Sequence, residues 1–182
     1  GGTLINQSGA SISGDSVAMR MSQSGTIINQ SGASISGTGT SSYGVILHQG
    51  GTITNQSGAT IQGGDSAIAL AGASTITNAA GSSIIGGNTS VSVFGSGTVS
   101  LTNAGVLSGS VYLNSGDANA VTLISGSTLT GSLYIGSNTG SQLTLDGNGI
   151  QLYSTTVTGT TSFAGTLTKQ GAGSWIVDSD LA

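Results

Sequence analysis

Few side chains in this sequence could do chemistry. The chain has one histidine, six acidic residues and two basic residues among its 182. The histidine, His48, follows Val45 and Leu47, so the alternation of apolar residues points it outward. Its nearest acidic residue in the sequence, Asp65, falls in a different unit of the repeat, and a hydrolase needs a base that is held by a carboxylate and faces a nucleophile. We therefore predict no catalytic residues and no enzymatic activity.

The acidic residues are poorly spaced for shared chemistry. Asp15 and Asp65 fall in corresponding turns but two repeats apart, which is too far for the paired carboxylates of a retaining glycosidase. The other aspartates, which do not align with them, are Asp117, Asp146, Asp178 and Asp180. A calcium-binding coil presents a carboxylate in every turn. We predict solvated turn aspartates without aromatic neighbours, no metal site and no cofactor, and we keep a carbohydrate-active enzyme as a remote alternative.

A repeated sequence motif forms the framework that must position these side chains. Asparagine recurs at nearly regular intervals, and three of the repeats share the run Asn-Gln-Ser-Gly-Ala. The five asparagines are Asn6, Asn29, Asn55, Asn78 and Asn103. A period in the low to middle twenties indicates one small unit per repeat, which cannot bury its apolar face alone and must stack on its neighbours.

Each repeat contains three short segments in which apolar and polar residues alternate, as in strands with one buried face. The aliphatic residues two positions before the asparagines are Leu4, Ile27, Ile53, Ile76 and Leu101. We predict an all-β fold, a right-handed parallel β-helix with three strands per rung, where a rung is one complete winding of about 22 to 26 residues. An antiparallel sandwich is the alternative, but it gives no reason for an in-phase repeat.

The repeat changes along the chain, which predicts three segments within one β-helix that spans residues 1–182. Residues 1–105 carry the asparagine-type rungs, residues 106–160 form tighter rungs, and residues 161–182 form a distinct strand repeat. In the second segment the shorter period places Ser125 and Gly147 at the repeat position that asparagine occupies in the first segment. The sequence starts in mid-repeat, so we expect a fragment of a longer protein.

The recurring asparagine has two interpretations. Its short amide side chain tolerates left-handed backbone geometry and carries both a donor and an acceptor. Stacked in register, the five side chains would form a hydrogen-bonded ladder along the axis. Alternatively, each asparagine is simply a good turn residue.

One outward column differs from the polar surface expected elsewhere. Alignment of the third strands places on a single exterior stripe the residues Ala18, Ile46, Ala69, Ser92, Tyr112 and Tyr134. Arg20, His48 and Phe94 lie beside this stripe. Exposed apolar and aromatic stripes mark contact surfaces, so we predict contacts through Ile46, His48, Phe94, Tyr112 and Tyr134. The alternative is a loop folded over the stripe.

Charge and composition exclude several functions. The net charge is −4, so the chain lacks the basic surface that binding to a phosphate backbone requires, and we predict no nucleic-acid partner. No apolar stretch approaches the roughly 20 residues of a transmembrane helix. The chain has no cysteine, so disulfides cannot stabilise it.

Residues 165–177 read Gly-Thr-Leu-Thr-Lys-Gln-Gly-Ala-Gly-Ser-Trp-Ile-Val. This segment resembles the autotransporter-associated β-strand repeat, a Gly-Thr-Leu-x-Lys-x-Gly-x-Gly-x-aliphatic phrase of autotransporter passenger domains. The match fixes Lys169 and two glycines together, and it covers this short segment alone. The Asn-Gln-Ser-Gly-Ala rungs are similar to such passengers in general style.

The resemblance implies a bacterial outer-membrane autotransporter, whose secreted passenger is a β-helix and whose membrane barrel lies C-terminal to this chain. Passengers without an inserted enzyme are commonly adhesins, so it implies adhesion, cell-to-cell aggregation, biofilm formation and a role in virulence. The implied partners are copies on neighbouring cells, through weak homo-association, or a ligand on host or matrix surfaces. The implied location is the bacterial cell surface or the medium. A structural stalk that presents an N-terminal functional domain is the alternative.

Overall fold

The computed structural model describes residues 1–113 and 117–178 of the chain. It is 61% strand and 2% helix, and nearly all of its strands are parallel and wound into a β-solenoid of about seven rungs. The predicted parallel β-helix is therefore confirmed. Asp180, one of the aspartates considered above, lies outside the described residues.

The first three rungs each contain three separate strands. Their bounds are β1 (Thr3–Asn6), β2 (Ser11–Gly14), β3 (Val17–Met21), β4 (Gly25–Asn29), β5 (Ser34–Gly37), β6 (Tyr43–Leu47), β7 (Gly51–Asn55), β8 (Thr60–Gly63) and β9 (Ser66–Leu70). Strands from successive rungs pair in parallel, so β1, β4 and β7 belong to one face, which we call the first face. The second face begins with β2, β5 and β8, and the third face begins with β3, β6 and β9.

In the later rungs some strands run continuously around a corner from one face to the next. The bounds are β10 (Ser74–Asn78), β11 (Ser83–Val93), β12 (Val99–Asn103), β13 (Val106–Tyr112), β14 (Ala120–Ile124), β15 (Thr128–Thr130), β16 (Leu133–Asp146), β17 (Ile150–Leu152), α1 (Tyr153–Thr156), β18 (Thr161–Lys169) and β19 (Ser174–Ile176). The beginning of β11 pairs with β8 on the second face, and its end pairs with β9 on the third.

Aliphatic residues at equivalent positions stack along the axis and form the core. On the first face the stacked residues are Leu4, Ile27, Ile53, Ile76, Leu101, Val121 and Leu143. On the second face they are Ile12, Ile35, Ile61, Ile84, Leu107 and Leu129. On the third face they are Met19, Val45, Ile68, Val91, Val111 and Leu133. From the second rung onward all of these side chains are buried, so each rung covers the apolar face of the next.

A tight turn follows each of the first four asparagines and explains the glycine of the repeated phrase. In the Gln-Ser-Gly-Ala turns the alanine amide donates to the glutamine carbonyl, as from Ala59 to Gln56 at 2.9 Å. The glycines of the four turns have φ between 71° and 75°: Gly9, Gly32, Gly58 and Gly81. Left-handed geometry favours glycine because it has no Cβ. No other residue type in the described ranges has positive φ, so the expectation that asparagine serves here through left-handed geometry is wrong.

A short helix covers the apolar core at the C-terminal end. Tyr153, the first residue of α1, is buried, and its hydroxyl lies 2.7 Å from the Thr161 hydroxyl. Burial raises the pKa of Tyr153 to about 12, and the hydrogen bond with Thr161 opposes that rise. Residues 165–177 form the last winding, in which Lys169 donates to the backbone carbonyls of Gly147, Gln170 and Gly171.

Candidate contact surface

The five asparagines end the first strand of successive rungs and point into the core. The amide nitrogen of each donates to the side-chain oxygen of the next at 2.9–3.0 Å, in the order Asn6, Asn29, Asn55, Asn78 and Asn103. All five side chains are buried. The structure therefore arranges them as one internal ladder and not as exposed turn residues.

Each ladder nitrogen also binds the backbone of the following rung. The acceptors are the carbonyls of Ser34, Thr60, Ser83, Val106 and Thr128, at 2.8–3.3 Å. These carbonyls belong to the second face, so the ladder joins the first face of one rung to the second face of the next. Buried polar groups are tolerated when they are hydrogen-bonded, which is the case along this ladder.

The ladder ends where a rung becomes shorter. Asn103 pairs in register with Leu123, and Leu123 pairs with Leu145, so leucines continue the buried column. The prediction that Ser125 and Gly147 occupy these positions is wrong. The winding from Asn103 to Leu123 contains fewer residues than the sequence period of this segment. The residue that stacks on Asn103 therefore comes earlier in the sequence than predicted.

The exterior stripe of the third face is present with one change of register. Its members, in pairing order, are Arg20, Ile46, Ala69, Ser92, Tyr112 and Tyr134. Arg20 takes the place that the sequence alignment gave to Ala18, because Met19 and Met21 pair with Val45 and Leu47.

Ile46 lies at this surface but does not project from it, whereas the sequence predicted an exposed contact residue. Only 6% of its side chain is exposed, so it is part of the floor and not a projecting contact. Its register neighbours on the two sides are Arg20 and Ala69. Beside it, the Ser66 hydroxyl bonds the Thr89 and Ser92 hydroxyls at 2.7 and 2.9 Å, so the floor carries hydroxyl groups as well as apolar ones.

Aromatic side chains rise from this floor in two pairs. The rings of His48 and Phe94 lie 5.9 Å apart in an edge-on arrangement. The rings of Tyr112 and Tyr134 lie 4.7 Å apart and are tilted by 49°. Phe94 is 56% exposed and Tyr112 is 40% exposed, so within the described residues no loop covers them. Hydrogen bonds with Thr160 and Ser132 lower the pKa of Tyr134 below its ordinary value.

Two cavities that share Tyr112 lie along the stripe, and together we call them the contact groove. The larger has a volume of about 560 Å³ and is lined by Tyr43, Ile46, His48, Asp65, Ala69, Thr89, Ser92, Phe94 and Tyr112. The smaller has a volume of about 400 Å³ and is lined by Tyr112, Tyr134, Gly136, Ser137, Ser162, Phe163 and Ala164. Five of the seven aromatic residues of the chain, and its single histidine, therefore line the contact groove.

Several lining residues, among them Tyr43, Phe163 and Asp65, were not predicted from the sequence as contact residues. Tyr43 and Thr89 each pair in register with the buried Ser66, and both line the larger cavity beside the stripe. Phe163 enters through the last rung. Asp65 was expected to lack aromatic neighbours, and this is wrong because it lines the larger cavity with four aromatic or imidazole side chains.

Asp65 is held within the groove by the next rung. The amide nitrogen of Asn88 donates to its carboxylate at 2.6 Å. Asp65 is the only carboxylate that lines either cavity of the groove, as the structure describes them. Asp178 lies elsewhere, where the hydroxyl and backbone amide of Ser154 lower its pKa.

Metal binding and membrane spanning find no support in the described ranges 1–113 and 117–178. No three histidine, cysteine, aspartate or glutamate side chains in these ranges are grouped so that they could hold a metal ion. The same ranges contain no helix with the length and apolar character that crossing a bilayer requires.

Comparison with known proteins gives no relative of this chain. No protein-family model, curated protein or solved structure matches it. The autotransporter resemblance of residues 165–177 therefore stays a prediction.

Proposed function

We propose that this chain is an adhesive segment of an extracellular bacterial protein of the autotransporter passenger type. In this proposal it acts by non-catalytic contacts along its third face. The observation that carries the proposal is the concentration of five of the seven aromatic residues in the contact groove. Exposed aromatic side chains are enriched at recognition surfaces because they bury much area at little entropic cost.

The groove also suits binding better than catalysis. A glycosidase of the common type needs two carboxyl groups across the scissile bond, and Asp65 is the single carboxylate of the groove as described. Tyr112 and Phe94 remain open to a partner on the outer surface. The partner is a second copy on a neighbouring cell or a ligand on a host or matrix surface.

Display of these rungs on bacteria that do not aggregate tests the proposal. We expect displayed chains to cause clumping or attachment to coated surfaces, and Tyr112→Ala to reduce that effect severalfold. The matched control is Thr52→Ala, an exposed residue on the first face. Displayed wild-type rungs that leave cells dispersed and unattached would contradict adhesion, and equal losses in the two variants would contradict the groove as the contact surface.

A structural stalk is the second candidate, and the asparagine ladder favours it. A continuous chain of buried hydrogen bonds through five rungs resists bending and shear between rungs. A stalk predicts that the display experiment gives neither clumping nor attachment. The same rungs would then increase the reach of whatever domain they carry.

A further inference from the structure

We propose that the contact groove binds a neutral, extended glycan that lies parallel to the solenoid axis. This inference rests on the proposed adhesive function and specifies the ligand of the same groove. It depends on three properties of the groove, namely its aromatic walls, its hydroxyl-bearing floor and its charge.

The aromatic walls are spaced for successive sugar rings. The lining residues come from the second rung, at Tyr43, through to the seventh, at Phe163, and each rung advances about 4.8 Å along the axis. A pyranose ring in an extended β-linked glycan advances by a similar distance. The C–H faces of such rings pack against aromatic faces, so Phe94, Tyr112 and Tyr134 can each contact a different ring of one chain.

The floor supplies hydrogen-bonding groups of the kind that sugar hydroxyls use. Thr89 and Ser92 line the larger cavity, where the buried Ser66 hydroxyl holds their hydroxyls at 2.7 and 2.9 Å, and each of the two can bond a sugar hydroxyl. Asp65 adds carboxylate oxygens at the rim, where they can accept from a sugar hydroxyl.

The charge of the groove favours a neutral glycan over an anionic one. Its lining contains one carboxylate and no lysine or arginine among the described residues. Sulfated or uronic-acid polymers are held by arginine and lysine, and the whole chain has only two such residues. Arg20, next to Ile46 in register, lies at one end of the stripe and cannot neutralise a repeating anionic polymer.

Calorimetric titration of the 182-residue chain with defined hexasaccharides tests this inference. The probes are β-1,4-linked glucose, mannose and N-acetylglucosamine hexamers, with a heparin hexasaccharide as the anionic comparison. We expect at least one neutral hexamer to bind, and Tyr112→Ala and Tyr134→Ala each to weaken binding about tenfold, as follows from the loss of one aromatic stacking contact. Thr52→Ala is the matched control, and circular dichroism establishes that each variant is folded.

Saturation-transfer NMR gives a second readout that does not depend on any variant. Irradiation of the tyrosine ring protons should transfer most strongly to the ring C–H protons of the bound sugar. Absence of binding by all neutral hexamers, binding of the heparin probe alone, or equal affinity in Tyr112→Ala and wild type would each overturn the inference. The proposed function survives those outcomes if displayed rungs still attach cells in a Tyr112-dependent way, so the two failures are distinguishable.

Discussion

Replacement of Asn55 by alanine tests whether the asparagine ladder stabilises the fold. Asn55 lies in the middle of the ladder, where its oxygen accepts from Asn29 at 2.9 Å and its nitrogen donates to Asn78 at 3.0 Å. The same nitrogen lies 3.2 Å from the carbonyl of Ala59 and 3.0 Å from that of Ser83. Alanine removes all four contacts in a site from which water is excluded.

The expected loss follows from the groups that remain behind. Each buried polar group that loses its partner costs about 1–3 kcal/mol, and the missing amide also leaves a small cavity. The Ser83 and Ala59 carbonyls are the groups most affected, so we expect Asn55→Ala to lower the free energy of unfolding by roughly 3–5 kcal/mol. Asn55→Leu fills the cavity without restoring the hydrogen bonds, so it should lose less than alanine but remain destabilised.

Urea unfolding followed by circular dichroism measures these differences through the midpoint and the slope of the transition. The control is Gln56→Ala, which truncates the neighbouring, partly exposed amide and should change stability by no more than about 0.5 kcal/mol. A midpoint for Asn55→Ala equal to that of Gln56→Ala would refute the stabilising role of the ladder. A fully stable Asn55→Leu would show that only the volume of the side chain matters.

Two further predictions concern the core and its C-terminal cover. Ile53→Asp places a charge in the buried column and should prevent folding. Thr52→Asp, on the exposed side of the same strand, should leave the urea midpoint almost unchanged. Equal midpoints for the two variants would contradict the inward assignment of Ile53. Because burial raises the pKa of Tyr153 from 10.0 to about 12, the fold favours the neutral phenol. That stabilisation is complete below pH 10, and the free energy of unfolding falls by roughly 3 kcal/mol as the pH rises towards 12. Tyr153→Phe should abolish this part of the alkaline destabilisation when unfolding is measured as a function of pH. An identical alkaline profile in Tyr153→Phe would contradict this linkage.

The periodic features of the fold could be predicted because residues of the same type occupy equivalent positions in successive rungs. Alternation identifies the inward residues, such as Ile27 and Ile53, and the in-phase asparagines place those columns on a common axis. The tight turn after Asn55 follows from Gly58, since that position needs positive φ. These inferences depend only on local sequence and on stacking.

The features that failed depend on local departures from the period. Within β9, both Ala67 and Ile68 are buried in the core, so strict alternation does not hold there. Because the rung before Leu123 is shorter than the sequence period, Leu123 and not Ser125 stacks on Asn103. The groove could be predicted only in part, because Tyr43 and Phe163 line its two cavities beside residues that are far from them in the sequence and near them only through the register of the third face.

The uniform orientation of the asparagine amides gives the rod a chemical polarity. Every ladder nitrogen donates towards the C-terminal end, as from Asn29 to Asn55 and to the Thr60 carbonyl. A break between two rungs would therefore leave amide donors on the N-terminal piece and unpaired acceptors on the C-terminal piece. Two such pieces could restore the buried hydrogen bonds by rejoining in the original order, whereas two identical broken ends would place donor against donor or acceptor against acceptor.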